Sequence, residues 1–230
     1  MPGTDPRSRA GAGIVSPDVN LRAIVFDFDG TLVESIDTKT EAFRVLFADH
    51  PEHVDRIVAL HLEQGGRSRY EKFAMIYRDV LHRDPQPGEF DRLGKRFEAL
   101  VFDAVVKCPF VPGAEMFLDQ FGSRWPMVLV SGTPHEELLR ILDRRKLRAR
   151  FAEVHGSPPE KGEIVRDVLT RCGWAAGQVL FVGDAMSDLR AAISFGLKFI
   201  GRVPRGEISP FPPGTRTIVD LSELPAAVMS

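Results

Sequence analysis

The chain has 230 residues, of which 43% are apolar and 27% charged, and 30 basic against 32 acidic side chains leave a formal charge of −2. That balance excludes general disorder and a whole-chain basic footprint for nucleic acid, and no run approaches the roughly 18 consecutive apolar residues of a membrane span. Two cysteines, Cys108 and Cys172, are too few for a disulfide framework, suit a reducing compartment and read as buried structural thiols.

Residues 1–20 hold Arg7 and Arg9 but no apolar segment of the kind a secretory signal needs, and they read as a flexible leader. The expected location is therefore the cytoplasm. Ala23–Phe26 is the first of several short apolar runs bounded by Gly, Pro, Asp or Ser; Met127–Val130, Phe151–His155 and Val179–Val182 follow. Such runs suit a parallel sheet covered on both faces. Helical patterns alternate with them. Ala114–Phe121 follows Pro112-Gly113, and Glu136–Leu147 stands behind Thr133 as N-cap and Pro134 at the first helical position. Gly162–Cys172 comes next, then Asp188–Phe195, which Gly196 closes. Lys198–Ile200 and Thr217–Val219 are further strand candidates. The alternation predicts an α/β fold with a doubly wound, Rossmann-like parallel sheet.

Ile36–Lys107 departs from this rhythm, with helical patterning only. Its apolar stripes are Ala42, Phe43, Val45, Leu46 and Phe47; then Phe73, Ala74, Ile76, Tyr77 and Val80; then Phe97, Leu100, Val101 and Ala104. The stretch is too long for a crossover. It predicts a small all-helical domain, residues 35–107, inserted after the first strand of a core formed by residues 21–34 and 108–230, with the stripes as its own core.

Four motifs carry candidate chemistry. Asp27-Phe28-Asp29-Gly30-Thr31 follows the first strand, where carboxylates two positions apart point the same way on an extended chain. Ser131-Gly132-Thr133 ends the second, offering hydroxyls and free N–H groups at a helix start. Lys161 opens a helix, where its charge opposes the helix dipole unless an anion is near. Gly183-Asp184-Ala185-Met186-Ser187-Asp188 follows the fourth strand, with Asp184 and Asp188 one turn apart. Taken singly, each has an ordinary reading: turn capping, helix capping, a solvated surface lysine, a helix-start acid. Ligand sites of open parallel sheets lie beyond the carboxyl ends of the strands, and all four motifs fall at that end. One active site explains the convergence better than four coincidences.

In that order the motifs DFDGT, SGT, a helix-opening lysine and GDAMSD resemble the haloacid dehalogenase-like hydrolase superfamily, over about Leu21 to Gly206. The helical insertion resembles the cap of its phosphoglycolate phosphatase-like branch. The resemblance implies a phosphatase that acts on a small phosphorylated metabolite with Mg²⁺. It implies Asp27 as the nucleophile that forms a phosphoaspartate and Asp29 as general acid, then base. Ser131, Gly132 and Lys161 would bind the phosphoryl group. Asp27, the backbone carbonyl of Asp29, and Asp184 would hold the metal, with Asp188 orienting that shell. A sugar phosphomutase, a 2-haloacid dehalogenase and a catalytically silent binding module of the same fold stay open. The dehalogenase needs neither the metal nor the second acid, and the silent module would have lost an acid.

For the leaving group, Arg67 and Arg69 in the Gly-hinged stretch Glu63–Tyr70 are candidates to grip a carboxylate or a sugar hydroxyl; pairing with Glu63 or Glu71 at a solvated helix start is the alternative. His135, beside the phosphate cradle, is either a substrate contact or an exposed first-turn histidine.

Overall fold

The computed structural model describes residues 21–229, so the leader expected over residues 1–20 lies outside the described residues. A six-stranded parallel sheet forms the centre: β1 (Ala23–Phe26), β2 (Met127–Pro134), β3 (Glu153–Ser157), β4 (Val179–Gly183), β5 (Lys198–Arg202) and β6 (Thr217–Ile218), in the spatial order β3-β2-β1-β4-β5-β6. In β1 the period of two sends Ile24 and Phe26 to one face and Ala23 and Val25 to the other. β2 and β4 divide in the same way, with Met127, Leu129, Leu180 and Val182 on the first face and Val128, Val130, Val179 and Phe181 on the second.

Both faces are apolar because helices cover both. Helices α5 (Ala114–Phe121) and α6 (His135–Arg145) pack on the first face through Phe117, Leu138, Ile141 and Leu142. Helices α7 (Lys161–Cys172) and α8 (Met186–Ser194) pack on the second through Ile164, Val165, Val168, Ala191 and Ala192.

Between β1 and α5 run α1 (Ile36–Leu46), α2 (Val54–Glu63), α3 (Arg69–Asp79) and α4 (Glu89–Lys107). Their aromatic residues pack on one another: the Phe43 ring meets Phe73 at 6.0 Å and Phe97 at 4.9 Å, and Tyr77 meets Phe90 at 5.1 Å. The stripes read from sequence hold in large part, with corrections. Val45 and Leu100 are exposed, as are Ala74 and Ala104, and α4 instead buries Gly94, Phe97, Val101 and Val105. Nor are the stripes a separate core, since their apolar cluster is continuous with the first face of the sheet. The two cysteines are free and half-buried rather than fully buried. Among the described residues, no helix is long and apolar enough to cross a membrane.

Candidate active site

β1 lies at the point where the strand order reverses, its two neighbours being β2 and β4. The Asp27 N–H donates to the Val182 carbonyl at 3.0 Å, so strand pairing carries on through the first residue beyond β1 and fixes its carboxylate in the crevice. Asp184 leaves β4 alongside it. Asp188, on the first turn of α8, turns back toward both, and one carboxylate oxygen from each of Asp27, Asp184 and Asp188 lies within 4.8 Å of the others. Lys161 Nζ stands 2.8 Å from Asp27 Oδ1 and 2.6 Å from Asp188 Oδ1. The Ala185 N–H donates to Asp188 Oδ2 at 3.0 Å, and the Thr31 hydroxyl to Asp184 Oδ1 at 3.1 Å.

Gly30 makes this closeness possible. Its φ is +76°, and a Cβ there would sit 2.3 Å from Asp184 Oδ2. Arg202 on β5 braces the turn, donating to the Gly30 carbonyl at 3.0 Å and pairing with Glu34 at 2.6 Å.

Burial raises the Asp27 pKa well above the carboxylate range; Lys161 offsets this in part, while Asp188, Asp184 and Asp29 add to it. Burial and then the Asp188 charge push Asp184 up to about 7. Burial would lower the Lys161 pKa, yet Asp188 and Asp27 overcome it and raise it. The buried carboxylates of Asp27 and Asp188 and the half-buried one of Asp184 thus share one ammonium, which leaves negative charge that the described side chains around them do not balance. A hard divalent cation on oxygen ligands fits that deficit, and Mg²⁺ suits so compact a set. Asp188 is already committed to Lys161 and Ala185, so Asp27 and Asp184 are the freer ligands.

The Asp29 carboxylate stands outside this cluster. Its Oδ1 accepts from the Ser35 hydroxyl at 2.6 Å, and its Oδ2 lies 2.5 Å from Lys39 Nζ and 2.9 Å from the Thr133 hydroxyl. Burial works to raise its pKa, but the Lys39 charge and the hydrogen bonds from Lys39, Ser35 and Thr133 outweigh burial and hold it at about 2. The Asp29 side chain is thereby engaged away from the Asp27, Asp184 and Asp188 carboxylates. Thr133 is also not the helix cap expected from sequence. Its hydroxyl is spent on Asp29, β2 runs on to pair Pro134 with Ser157, Pro134 takes the cap position, and α6 begins at His135.

Ser131 and Gly132 end β2 beside Asp29, with Ser131 Oγ 3.5 Å from Asp29 Oδ2 and accepting from the Thr133 N–H at 3.1 Å. The Gly65–Arg67 loop of the helical insertion lies directly on Gly132, where a Cβ would come within 2.5 Å of the Gly66 carbonyl oxygen. The Ser187 hydroxyl holds the same loop through the Gly65 carbonyl at 3.1 Å. A cavity of about 170 Å³ opens on one side of that contact, between Asp27, Asp29, Thr133 and Asp184 on the sheet side and Lys39, Phe43, His61, Arg67, Arg69 and Lys72 from the insertion. Ser131 and Lys161 line a neighbouring space of about 150 Å³.

Arg67 and Arg69 reach the cavity wall, each against a carboxylate. Arg67 pairs with Glu71 at 2.8 Å. Arg69 is no solvated helix-start residue: it is 5% exposed, pairs with the 3%-exposed Glu137 of α6 at 2.6 Å, and lies over the Phe97 ring at 4.5 Å. His135 accepts from the Gly156 N–H through Nδ1 at 3.2 Å and does not line the cavity. Sequence reasoning missed Lys39, His61 and Lys72. The usable signal was phase, because each falls in step with a buried helix face: Lys39 one turn before Phe43, His61 beside Ile57 and Leu60, Lys72 beside Phe73 and Ile76.

The haloacid dehalogenase-like hydrolase family model matches residues 21–196. A phosphoglycolate phosphatase of Synechococcus elongatus is 28% identical over 181 residues, 77% of this chain and 81% of that protein. One from Pseudomonas savastanoi is 25% identical over 188 residues, 76% of this chain and 67% of that protein. Among solved structures, a variant of CbbY from Rhodobacter sphaeroides in complex with xylulose-(1,5)bisphosphate shares the fold, with a TM-score of 0.71 and 20% identity over 91% of this chain and 99% of its own.

Proposed function

The chain belongs to the haloacid dehalogenase-like hydrolase family, and on that premise we propose that it is a Mg²⁺-dependent phosphomonoester hydrolase working through a phosphoaspartate on Asp27. Its substrate is a small phosphorylated metabolite of the phosphoglycolate or sugar phosphate kind. The carrying observation is the convergence of Asp27, Asp184 and Asp188 around Lys161 where the strand order reverses. The phosphoglycolate phosphatases among its relatives support the substrate class.

In this reading Asp27 attacks phosphorus, and Lys161 with the backbone of Ser131 and Gly132 steadies the phosphoryl oxygens. Asp27, the Asp29 carbonyl and Asp184 would hold Mg²⁺, which would supply the positive charge that lets a carboxylate approach a phosphate dianion. Asp188 positions Lys161 and the metal ligands. Asp29 must leave Lys39 and take up a proton to serve as acid for the departing alkoxide; as a carboxylate it then takes the proton of the water that attacks the phosphoaspartate. Residues 35–107 act as a cap domain that closes the crevice through the Gly65–Arg67 loop, with Arg67 and Arg69 at its wall. The free cysteines suit action in the cytoplasm.

Turnover of an aryl phosphate in ¹⁸O-water tests this. Attack on phosphorus sends label into released phosphate and leaves the Asp27 peptide unlabelled. Label in Asp27, with halide released from a 2-haloacid, would overturn the assignment.

A further inference from the structure

Of the cations lining the cavity beside Asp27 and Asp29, Lys39 is matched by Asp29, Arg67 by Glu71 and Arg69 by Glu137. Lys72 is not matched. It is 5% exposed and makes no ion pair among the described residues. Its Nζ lies 3.1 Å from His61 Nδ1 and 3.1 Å from the His61 carbonyl, both neutral acceptors. The Phe43 ring, 5.8 Å away, adds a weak cation–π contact, and the His61 ring stacks on the same Phe43 at 4.3 Å. An ammonium has three protons to donate, and these acceptors take two. With Nδ1 accepting, His61 carries its own proton on Nε2. A buried cation with no counter-charge is costly, and an anion in the cavity would remove the cost.

Resting on the phosphatase reading above, the geometry points to Lys72, backed by His61, as the site for a second anionic group of the substrate. The metabolite then carries a carboxylate or a second phosphate at the end remote from the scissile phosphoryl group. The cavity of about 170 Å³ suits a small metabolite, being smaller than the roughly 300–1,000 Å³ of sites for drug-sized ligands. Burial first, and the Lys39 charge second, push Lys72 down to about 7, and a bound anion restores the ammonium. Arg67 and Arg69 shape the wall, but their charge is already answered by Glu71 and Glu137.

Steady-state kinetics on four esters test the site: 2-phosphoglycolate for the carboxylate, a small sugar bisphosphate for the second phosphate, ethyl phosphate for a neutral tail, and p-nitrophenyl phosphate. The wild type should favour one of the two doubly anionic esters over ethyl phosphate by about 10- to 100-fold in kcat/KM, the size of a charge-assisted hydrogen bond. The ester that responds identifies the anion. Lys72→Met should abolish that preference through KM while leaving ethyl phosphate within about threefold, and Lys72→Arg should restore part of it. Equal kcat/KM for charged and neutral tails in the wild type, or equal losses on all four esters in Lys72→Met, would overturn the proposal. Should Lys72→Met fail to fold, the wild-type preference and Lys72→Arg decide. Failure of the phosphatase reading is a separate result, namely no phosphate from any ester with Mg²⁺ present. Calorimetric binding of 2-phosphoglycolate and the sugar bisphosphate against ethyl phosphate then decides the subsite, and equal affinities would sink it.

Discussion

Lys39 Nζ lies 2.5 Å from Asp29 Oδ2, an ion pair between the first helix of the insertion and the turn that follows β1. The pair holds Asp29 at about 2, with hydrogen bonds from Ser35 and Thr133 adding to the lysine's effect against burial. A general acid held there is a carboxylate at neutral pH, so the pair parks Asp29. Lys39→Met should raise the Asp29 pKa by about one to two units, the usual effect of losing a close opposite charge. The expected readout is a shift of the descending limb of log kcat against pH to higher pH on an alkyl phosphate, with a smaller shift on an aryl phosphate, whose leaving group needs less protonation. Identical profiles for the variant and the wild type would show that Asp29 is not the acid.

The carboxylate cluster predicts a metal requirement. Exhaustive EDTA treatment should abolish aryl phosphate hydrolysis, Mg²⁺ should restore it, and Ca²⁺ should inhibit because its larger, looser shell misplaces Asp27. Asp184→Asn should raise the Mg²⁺ concentration for half-maximal rate by at least about tenfold, since even outer-shell partners of a metal are worth 10- to 100-fold. Titrating activity against Mg²⁺ in the variant checks this, and full activity after EDTA would refute it.

Arg69 and Glu137 join α3 to α6 through a buried pair at 2.6 Å, with Glu137 Oε2 left without a hydrogen-bond partner. Removing one partner strands the other charge. Arg69→Ala should cost about 3–5 kcal/mol of stability, a fall in Tm on the order of 6–20 °C for a chain of this size. Replacing the two together, Arg69→Met with Glu137→Gln, should cost less than the single change. Thermal melts of the three variants measure it. A purely substrate-binding Arg69 would leave Tm unmoved.

Lys72 also predicts a pH dependence of stability. Its folded pKa of about 7 lies below that of an ordinary lysine, so between about 7 and 10.4 the unfolded chain binds more protons and stability rises with pH. Below that window the lysine is charged in both states and the full cost of burying it remains. The charged and titratable groups around it are His61, Lys39, Asp29, Asp184 and Lys161. Across the window the stability of the wild type relative to Lys72→Met should therefore increase with pH, by no more than about 1.4 kcal/mol per unit. Denaturant melts of both proteins at a series of pH values test the sign, and a decrease would mean that Lys72 is stabilised by a charge partner.

Which of these residues carry a mark in the local sequence follows from the range of the forces involved. A strand buried on both faces must be an unbroken apolar run, so Ala23–Phe26 and Val179–Val182 were legible locally, as was Gly196 at the end of α8, where φ is +75°. The acids that follow those strands were legible too, because a polar group directly after a buried strand sits at the sheet's carboxyl end whatever the rest of the chain does. Thr133 departs from its expected capping role for a related reason: capping is a local preference, and the Asp29 carboxylate that claims its hydroxyl is 104 residues away along the chain. Lys39, His61 and Lys72 carry no local mark beyond their phase on the helices. Which of these cations is answered by a carboxylate depends on where α3 meets α6 and where α1 meets the turn after β1, and those contacts exist only in the folded chain. Arg69 and Lys72 are three residues apart on one helix, yet one is neutralised across the interface by Glu137 and the other faces the cavity without an acid. The order of motifs along the sequence determined the fold and the acids at its centre. The pairing of charges around the cavity was decided by tertiary structure, because electrostatic partners are set by distance in space and by the loss of water, neither of which is written in neighbouring residues.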